Sequence, residues 1–329
     1  MPQYIVKRIL LMIPTLVALS IFIFVLTQLP PGSYLDSIVT ELESQGESIS
    51  QDQIESLKVR YGFDEPLTVQ YLKWVSGWLR GDFGTSFTYY GKQNLEVIAH
   101  FLGYTVLIAV STQLFILVVG IAIGIFSATH QYTLGDHVAT FIGFIGLSIP
   151  NFLLALILMY VGYFVFGIPA LGGLFSNEYL DAPWSIGKAL DLLAHLWIPV
   201  VVLGTAGTAG IARRMRGNLL DVLKMQYVAT ARAKGLREGV VIRKHATMNA
   251  VSPIIMAVGM RFPQILSGST IVSIVLSLPT LGPVLYKALT NQDMYLAGTI
   301  LFFQSLLLLV GNLLADIALV AVDPRVEFE

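Results

Sequence analysis

Residues 227–253 read YVATARAKGLREGVVIRKHATMNAVSP, a basic, Gly-punctuated run between two apolar blocks at about 193–212 and 250–277. Residues 212–249 hold nine Lys/Arg (213, 214, 216, 224, 232, 234, 237, 243 and 244) against only Asp221 and Glu238. Basic residues in a short loop between membrane-length blocks mark its cytoplasmic side. A hydrocarbon core of roughly 30 Å takes about 20 apolar residues per helix. Six blocks meet that length, at about 9–29, 101–127, 138–166, 193–212, 250–277 and 296–321.

The whole chain agrees with an integral membrane protein. Of its 329 residues 55% are hydrophobic and 12% charged, with a mean hydropathy of +0.72, whereas soluble domains carry about a quarter charged residues. The blocks are too long and alternate too weakly for barrel strands, so an all-α membrane protein of six transmembrane helices is expected. The first block follows Lys7 and Arg8 like a signal sequence but ends in Gln28-Leu-Pro-Pro-Gly32, without a small-x-small cleavage site, so it reads as an uncleaved helix. Counting back from the basic loop places both termini in the cytoplasm and residues 30–98, with ten acidic and five basic side chains, outside. Residues 128–137, expected inside, contain no Lys or Arg and lend the topology no support. The chain divides into residues 1–100, a first helix plus extracytoplasmic segment, and residues 101–329, a five-helix core with its loop at 213–249. Without cysteine, neither disulfides nor thiolate metal sites are available.

In the outer segment, Ser50-Gln-Asp-Gln53 matches a capping box and Gly62 a helix stop, which predicts a helix over about 51–61. After Pro66, Tyr71, Leu72, Trp74, Val75, Trp78 and Leu79 form an amphipathic run, suited to the membrane interface or to a small outer domain. Gly120-xxx-Gly124 and Gly204, Gly207 and Gly210 offer small faces for close helix contact. Pro150, Pro199, Pro253 and Pro263 should bend or end helices.

Several chemistries are missing. There is no GxxxxGK[ST] phosphate loop, so the chain is not expected to hydrolyse ATP itself. The five histidines include no HExxH pair, and no carboxylate cluster lies in the apolar blocks, as proton-coupled carriers need. Neither catalytic nor metal-ligating residues are expected. Arg261, about eleven residues into the fifth block, is costly there unless it lines a hydrated cavity, snorkels or pairs with a carbonyl. Asp316 suits a structural hydrogen bond.

Asp221 to Leu236, DVLKMQYVATARAKGL, is rich in helix formers, with Gly235 where a C-terminal cap belongs. Tyr227, Thr230/Ala231 and Lys234 recur on one narrow face, too polar for lipid and too small-residue-rich for a core stripe, which suits another protein's groove. A lipid-headgroup loop explains the charge but not the order of these residues. That order, followed by His245-Ala-Thr-Met-Asn249-Ala-Val-Ser-Pro253, resembles the EAA loop of ABC-importer permeases in the dipeptide, oligopeptide and nickel branch. KRILLMIPTL at 7–16, LPPGS at 29–33, YGFDEPLTVQYLKW at 61–74, GDFGTSF at 81–87 and DPRV at 323–326 extend the likeness over almost the whole chain, to the first permease of the pair. Departures stand at Met248, often Arg in the family, at Ser273, often Glu, and at Thr280, often Gly.

The resemblance implies a type I importer permease fold in the cytoplasmic (inner) membrane. It implies a cytoplasmic coupling helix built from Asp221, Tyr227, Thr230, Ala231, Arg232, Ala233, Lys234, Gly235 and Leu236, supported by His245, Asn249 and Pro253. The implied partners are a homologous second permease, two ABC ATPase subunits that carry ATP and Mg, an extracytoplasmic solute-binding protein and membrane lipid, with no nucleic acid. Peptides are the expected cargo; nickel chelates, opines or sugars are the alternatives within this machinery. An ATP-independent carrier or channel with Arg261 as selectivity charge, or a hydrolase built on Ser148, would be rivals from other classes.

Overall fold

The computed structural model describes residues 2–29, 65–86, 88–89, 91–168, 172–256 and 270–322. The expected helix at 51–61, Pro263, Arg261 and the closing DPRV lie outside the described residues, as does the side chain of Asp316. Nearly all the regular structure is helical, with a single isolated bridge between Thr85 and Gln93. Among the described residues four helices are long and apolar enough to cross a membrane, five if a bent pair counts as one span. The fifth apolar block, 250–277, is described only at its two ends.

The chain forms two compact units. One contains residues 1–103 and 280–309, so residues 280–309 join the N-terminal segment. It holds α1 (Pro2–Thr27), α2 (Leu67–Leu79), the start of α3 (Asn94–Thr129), α9 (Leu281–Thr290) and most of α10 (Met294–Val322). Helix α2 buries Trp74, which packs with Trp78 and Tyr71 against Phe24 of α1 and Phe302 of α10. The tryptophan stripe therefore seats α2 on other helices of its unit. The loop before α3 is tied down by a residue that the sequence does not flag. Asp293 caps α10 through Leu296 N (3.2 Å) and accepts hydrogen bonds from Ser86 Oγ (2.7 Å) and Thr88 N (3.1 Å). Ser86 and Asp293 are both buried, where a satisfied polar network rigidifies.

The other unit contains residues 104–279 and 310–329. Its core gathers Ile108, Ala155, Leu174, Ile198, Val202 and Leu276. Helix α3 meets α6 (Ile186–Leu223) along a seam of small residues. A Cβ on Gly120 would stand 2.8 Å from Ile211, and one on Gly124 2.7 Å from the carbonyl of Ala212, so only glycine admits this approach.

The third apolar block is not one helix. Helices α4 (Leu134–Ser148) and α5 (Asn151–Phe164) meet at an angle of 111°. Ile149 is extended (φ −86°, ψ 124°), as the ring of Pro150 requires of the residue before it. Pro199, by contrast, remains inside α6. At the start of α6, Asp191 accepts hydrogen bonds from the amide (2.8 Å) and hydroxyl (2.6 Å) of Ser176.

Candidate coupling site

The basic segment folds as a short hairpin between α6 and α8 (Met248–Met256). Its helix, α7, spans Gln226–Ala233 rather than the whole of 221–236. The amides of Lys224 and Met225 turn back onto the carbonyls of Asp221 and Val222, three residues earlier, and Met225 is extended (ψ 145°). This tightened last turn breaks the chain. Asp221 therefore lies on α6, where it meets only Lys224 Nζ, at 4.0 Å and in solvent.

The far end of α7 follows the expectation for Gly235, whose φ is +76°. The Gly235 amide donates to Arg232 O (2.9 Å) and the Leu236 amide to Ala231 O (3.4 Å), the paired bonds of a Schellman cap. Nothing lies within 4 Å of a Cβ built on Gly235, so a side chain there meets backbone strain and no clash.

Burial divides the expected narrow face. Val228 and Ala231 point inward with Val241, against Val222 and Leu223, while Thr230, Arg232, Ala233 and Lys234 are exposed. Ala231 seats the helix and cannot meet a partner. Tyr227 and Leu236 keep 44% and 41% of their surface exposed, enough for a partner to cover.

Three devices hold the hairpin beyond that small core. Asn249 Nδ2 donates to Tyr227 Oη (2.9 Å) and to His245 O (3.1 Å), tying α7 to the start of α8. Pro253 sits exposed within α8, one turn past Asn249. Arg232 and Glu238 form a two-pronged pair across the cap, Nε to Oε2 at 3.1 Å and Nη2 to Oε1 at 2.6 Å. The hydrogen bond from Arg232 holds the Glu238 carboxyl below its ordinary range, and the same bond raises the Arg232 guanidinium. The third device is a π-helical stretch, Val241–Thr247, that joins the hairpin to α8. Glu238 and Val241 escape sequence reasoning: Glu238 meets Arg232 at a six-residue spacing across a glycine cap that fits no helical pairing rule, and Val241 reaches Val228 and Ala231 only once the chain has turned back.

The arrangement displays a capped helix; it does not assemble reacting groups. Among the described residues no group of three His, Cys, Asp or Glu is placed to hold a metal ion. Of the positions that depart from the resembled pattern, Met248 is exposed while Ser273 and Thr280 are buried, their hydroxyls without a partner among the described residues.

Known proteins share this organisation. Residues 120–328 match the family described as binding-protein-dependent transport system inner membrane component, and residues 1–91 match its N-terminal membrane component. The oligopeptide transport system permease protein AppB of Bacillus subtilis is 37% identical over 328 residues, covering 100% of both chains. The dipeptide transport system permease protein DppB of Alkalihalophilus pseudofirmus is 30% identical over 341 residues, again covering 100% of each. Among solved structures, an inward-facing MetNI methionine ABC transporter chain superposes with a TM-score of 0.51 at 17% identity, over 69% of this chain and 97% of that one, a likeness of fold alone. The family match takes in the capped hairpin and the helices on both sides of it, so the chain belongs to the binding-protein-dependent inner membrane components, the permease subunits of ABC importers.

Proposed function

We propose that this permease carries peptides across the cytoplasmic membrane by alternating access, with α7 as the helix through which separate ATPase subunits drive it. The observation that carries the reading is the construction of α7, a helix capped at Gly235 and seated on three buried residues, with Tyr227, Thr230, Lys234 and Leu236 left outward. A helix of this shape suits a groove on another protein. Its short links to α6 and α8 would pass a displacement into both. Partner subunits can shift the permease only by binding its two states with different affinity, so the force must enter through such a surface. The full-length likeness to relatives named as oligopeptide and dipeptide permeases supports peptide as cargo.

In this reading a homologous permease completes the pathway, two ATPases bind ATP and Mg below it, and a solute-binding protein delivers cargo above it. Both termini and the 213–249 loop face the cytoplasm, because that loop holds the densest positive charge. Arg261 is proposed to face the pathway. The chain contributes no bond-making step.

The test is uptake of labelled di- and oligopeptides by proteoliposomes that contain both permeases and the ATPases, with the binding protein supplied. ATP-dependent accumulation that stops when the ATPases are omitted is expected. Uptake by this chain alone would favour a carrier, and ATP-driven uptake of a nickel chelate or sugar but no peptide would reassign the cargo.

A further inference from the structure

One face of α6, Thr205, Thr208, Ala212 and Arg216, lines a cavity of about 620 Å³ whose other walls are α3 and α4. Phe115, Val119, Ile123 and Ser127 recur at every fourth residue along the α3 wall, so at 1.5 Å per residue the groove runs about 18 Å. That is close to one leaflet of a hydrocarbon core roughly 30 Å thick. Its walls are mainly apolar, and its polarity is concentrated at one end.

That end carries an incomplete charge balance. Arg216 Nη2 pairs with Asp136 Oδ2 at 2.8 Å, but Arg216 Nε is shut off from solvent and has no partner among the described residues. Arg213 lies over the ring of Phe144, 5.3 Å from its centroid, and has no carboxylate partner among the described residues. Two guanidiniums against one carboxylate leave a positive charge beside an apolar slot. A slot with a cationic mouth and an apolar floor one leaflet long is complementary to an amphiphile with an anionic head.

We propose that this groove binds an anionic phospholipid of the inner leaflet, its phosphate between Arg213 and Arg216 and one acyl chain along Phe115, Val119 and Ile123. Basic pockets between membrane helices on the cytoplasmic side suit such headgroups. The leaflet assignment rests on the proposed cytoplasmic position of the 213–249 loop; the lipid class does not.

The experiment is native mass spectrometry of the assembled transporter, both permeases with their ATPases, after equilibration in vesicles of equal phosphatidylglycerol and phosphatidylcholine. Wild type should retain phosphatidylglycerol at least fivefold over phosphatidylcholine. Arg213→Gln should remove that preference, and Ala139→Trp, which fills the slot without touching charge, should reduce retention of both lipids. Equal retention of the two headgroups by wild type, or unchanged preference in Arg213→Gln, overturns the proposal. So does a complex without bound lipid, which would mean that the second permease fills the groove, or release of the lipid by excess transported peptide, which would make the groove part of the pathway. Labelling of Lys234→Cys from either side of sealed vesicles reads the orientation separately; a reversed result moves the site to the outer leaflet and leaves the lipid preference intact.

Discussion

The loop at 80–93 and the hairpin at 224–241 are both short connections rich in turn residues, yet they are held in opposite ways. In the first, a buried carboxyl gathers Ser86, Thr88 and the start of α10 where no water competes. In the second, a core of three residues is supported by exposed contacts, the Arg232–Glu238 pair and the Asn249–Tyr227 hydrogen bond. A buried network costs much to break, whereas an exposed pair contributes little and is screened by salt. The difference teaches which surface is finished within the chain. Ser86 and the Thr88 amide of the first are bound by a carboxyl of the same chain, while α7 leaves the aromatic and apolar surface of Tyr227 and Leu236 exposed.

Removing the central group should break the comparison most severely. Asp293→Ala leaves the Ser86 hydroxyl and the Thr88 and Leu296 amides without their acceptor, at about 3 kcal/mol. Thermal unfolding of the purified permease should shift down by several degrees, and limited proteolysis should open the 80–93 loop while sparing the hairpin. Cleavage of both together would mean that the two regions are not independently held.

Gly235→Val should act next most strongly, and differently. A β-branched residue at φ +76° costs about 1–2 kcal/mol, and with open space around the position the damage is conformational. ATPase stimulation by loaded binding protein should fall several-fold with little change in melting temperature. Gly235→Asn, which tolerates positive φ, should retain most of it. Equal loss in both variants would point to a contact at Gly235 rather than to its backbone.

Much of this was legible in the sequence, and the limits have physical causes. The membrane class, the glycine seam at Gly120 and Gly124 and the cap at Gly235 depend on local pattern, which spacing and residue type reveal. The sequence runs α7 back to Asp221 because Leu223, Lys224, Met225 and Gln226 are good helix formers; the break at Lys224 comes from a tightened turn with no composition of its own. It counts the third block as one span and expects Pro150 to bend or end a helix there, but hydropathy is indifferent to direction, so the 111° turn itself is not legible. Asp293, Glu238 and Val241 were missed because their partners are brought to them by folding: Ser86 lies 207 residues from Asp293.

A smaller effect is expected at Tyr227→Phe, which removes the hydroxyl that accepts from Asn249 in a partly exposed place. The loss is about 0.5–1 kcal/mol, and hydrogen exchange of residues 226–233 should quicken severalfold. No change in exchange would remove Asn249 from the supports of α7.

The Arg232–Glu238 pair should give the smallest effect, visible as a pH dependence. Because the folded-state value for Glu238 lies below the ordinary 4.5, the pair helps hold the hairpin above about pH 4.5, and that help is lost as pH falls through the lower value. Exchange protection of the hairpin should be flat from pH 5 to 8 and decline below, and Glu238→Gln should show no such decline. A decline that persists in Glu238→Gln would assign the acid sensitivity to another group.

The central claim, that the exposed hairpin and not the loop anchored on Asp293 meets the ATPase, is tested most directly by cysteine cross-linking, for which a chain without native cysteine is ready. Thr230→Cys and Lys92→Cys each place one thiol on an exposed position of the two regions. In the assembled transporter, Thr230→Cys should cross-link to an ATPase subunit with a yield that changes when nucleotide is added, and Lys92→Cys should give no ATPase product. Failure of Thr230→Cys to reach the ATPase in any nucleotide state, or an ATPase product from Lys92→Cys, would contradict the account.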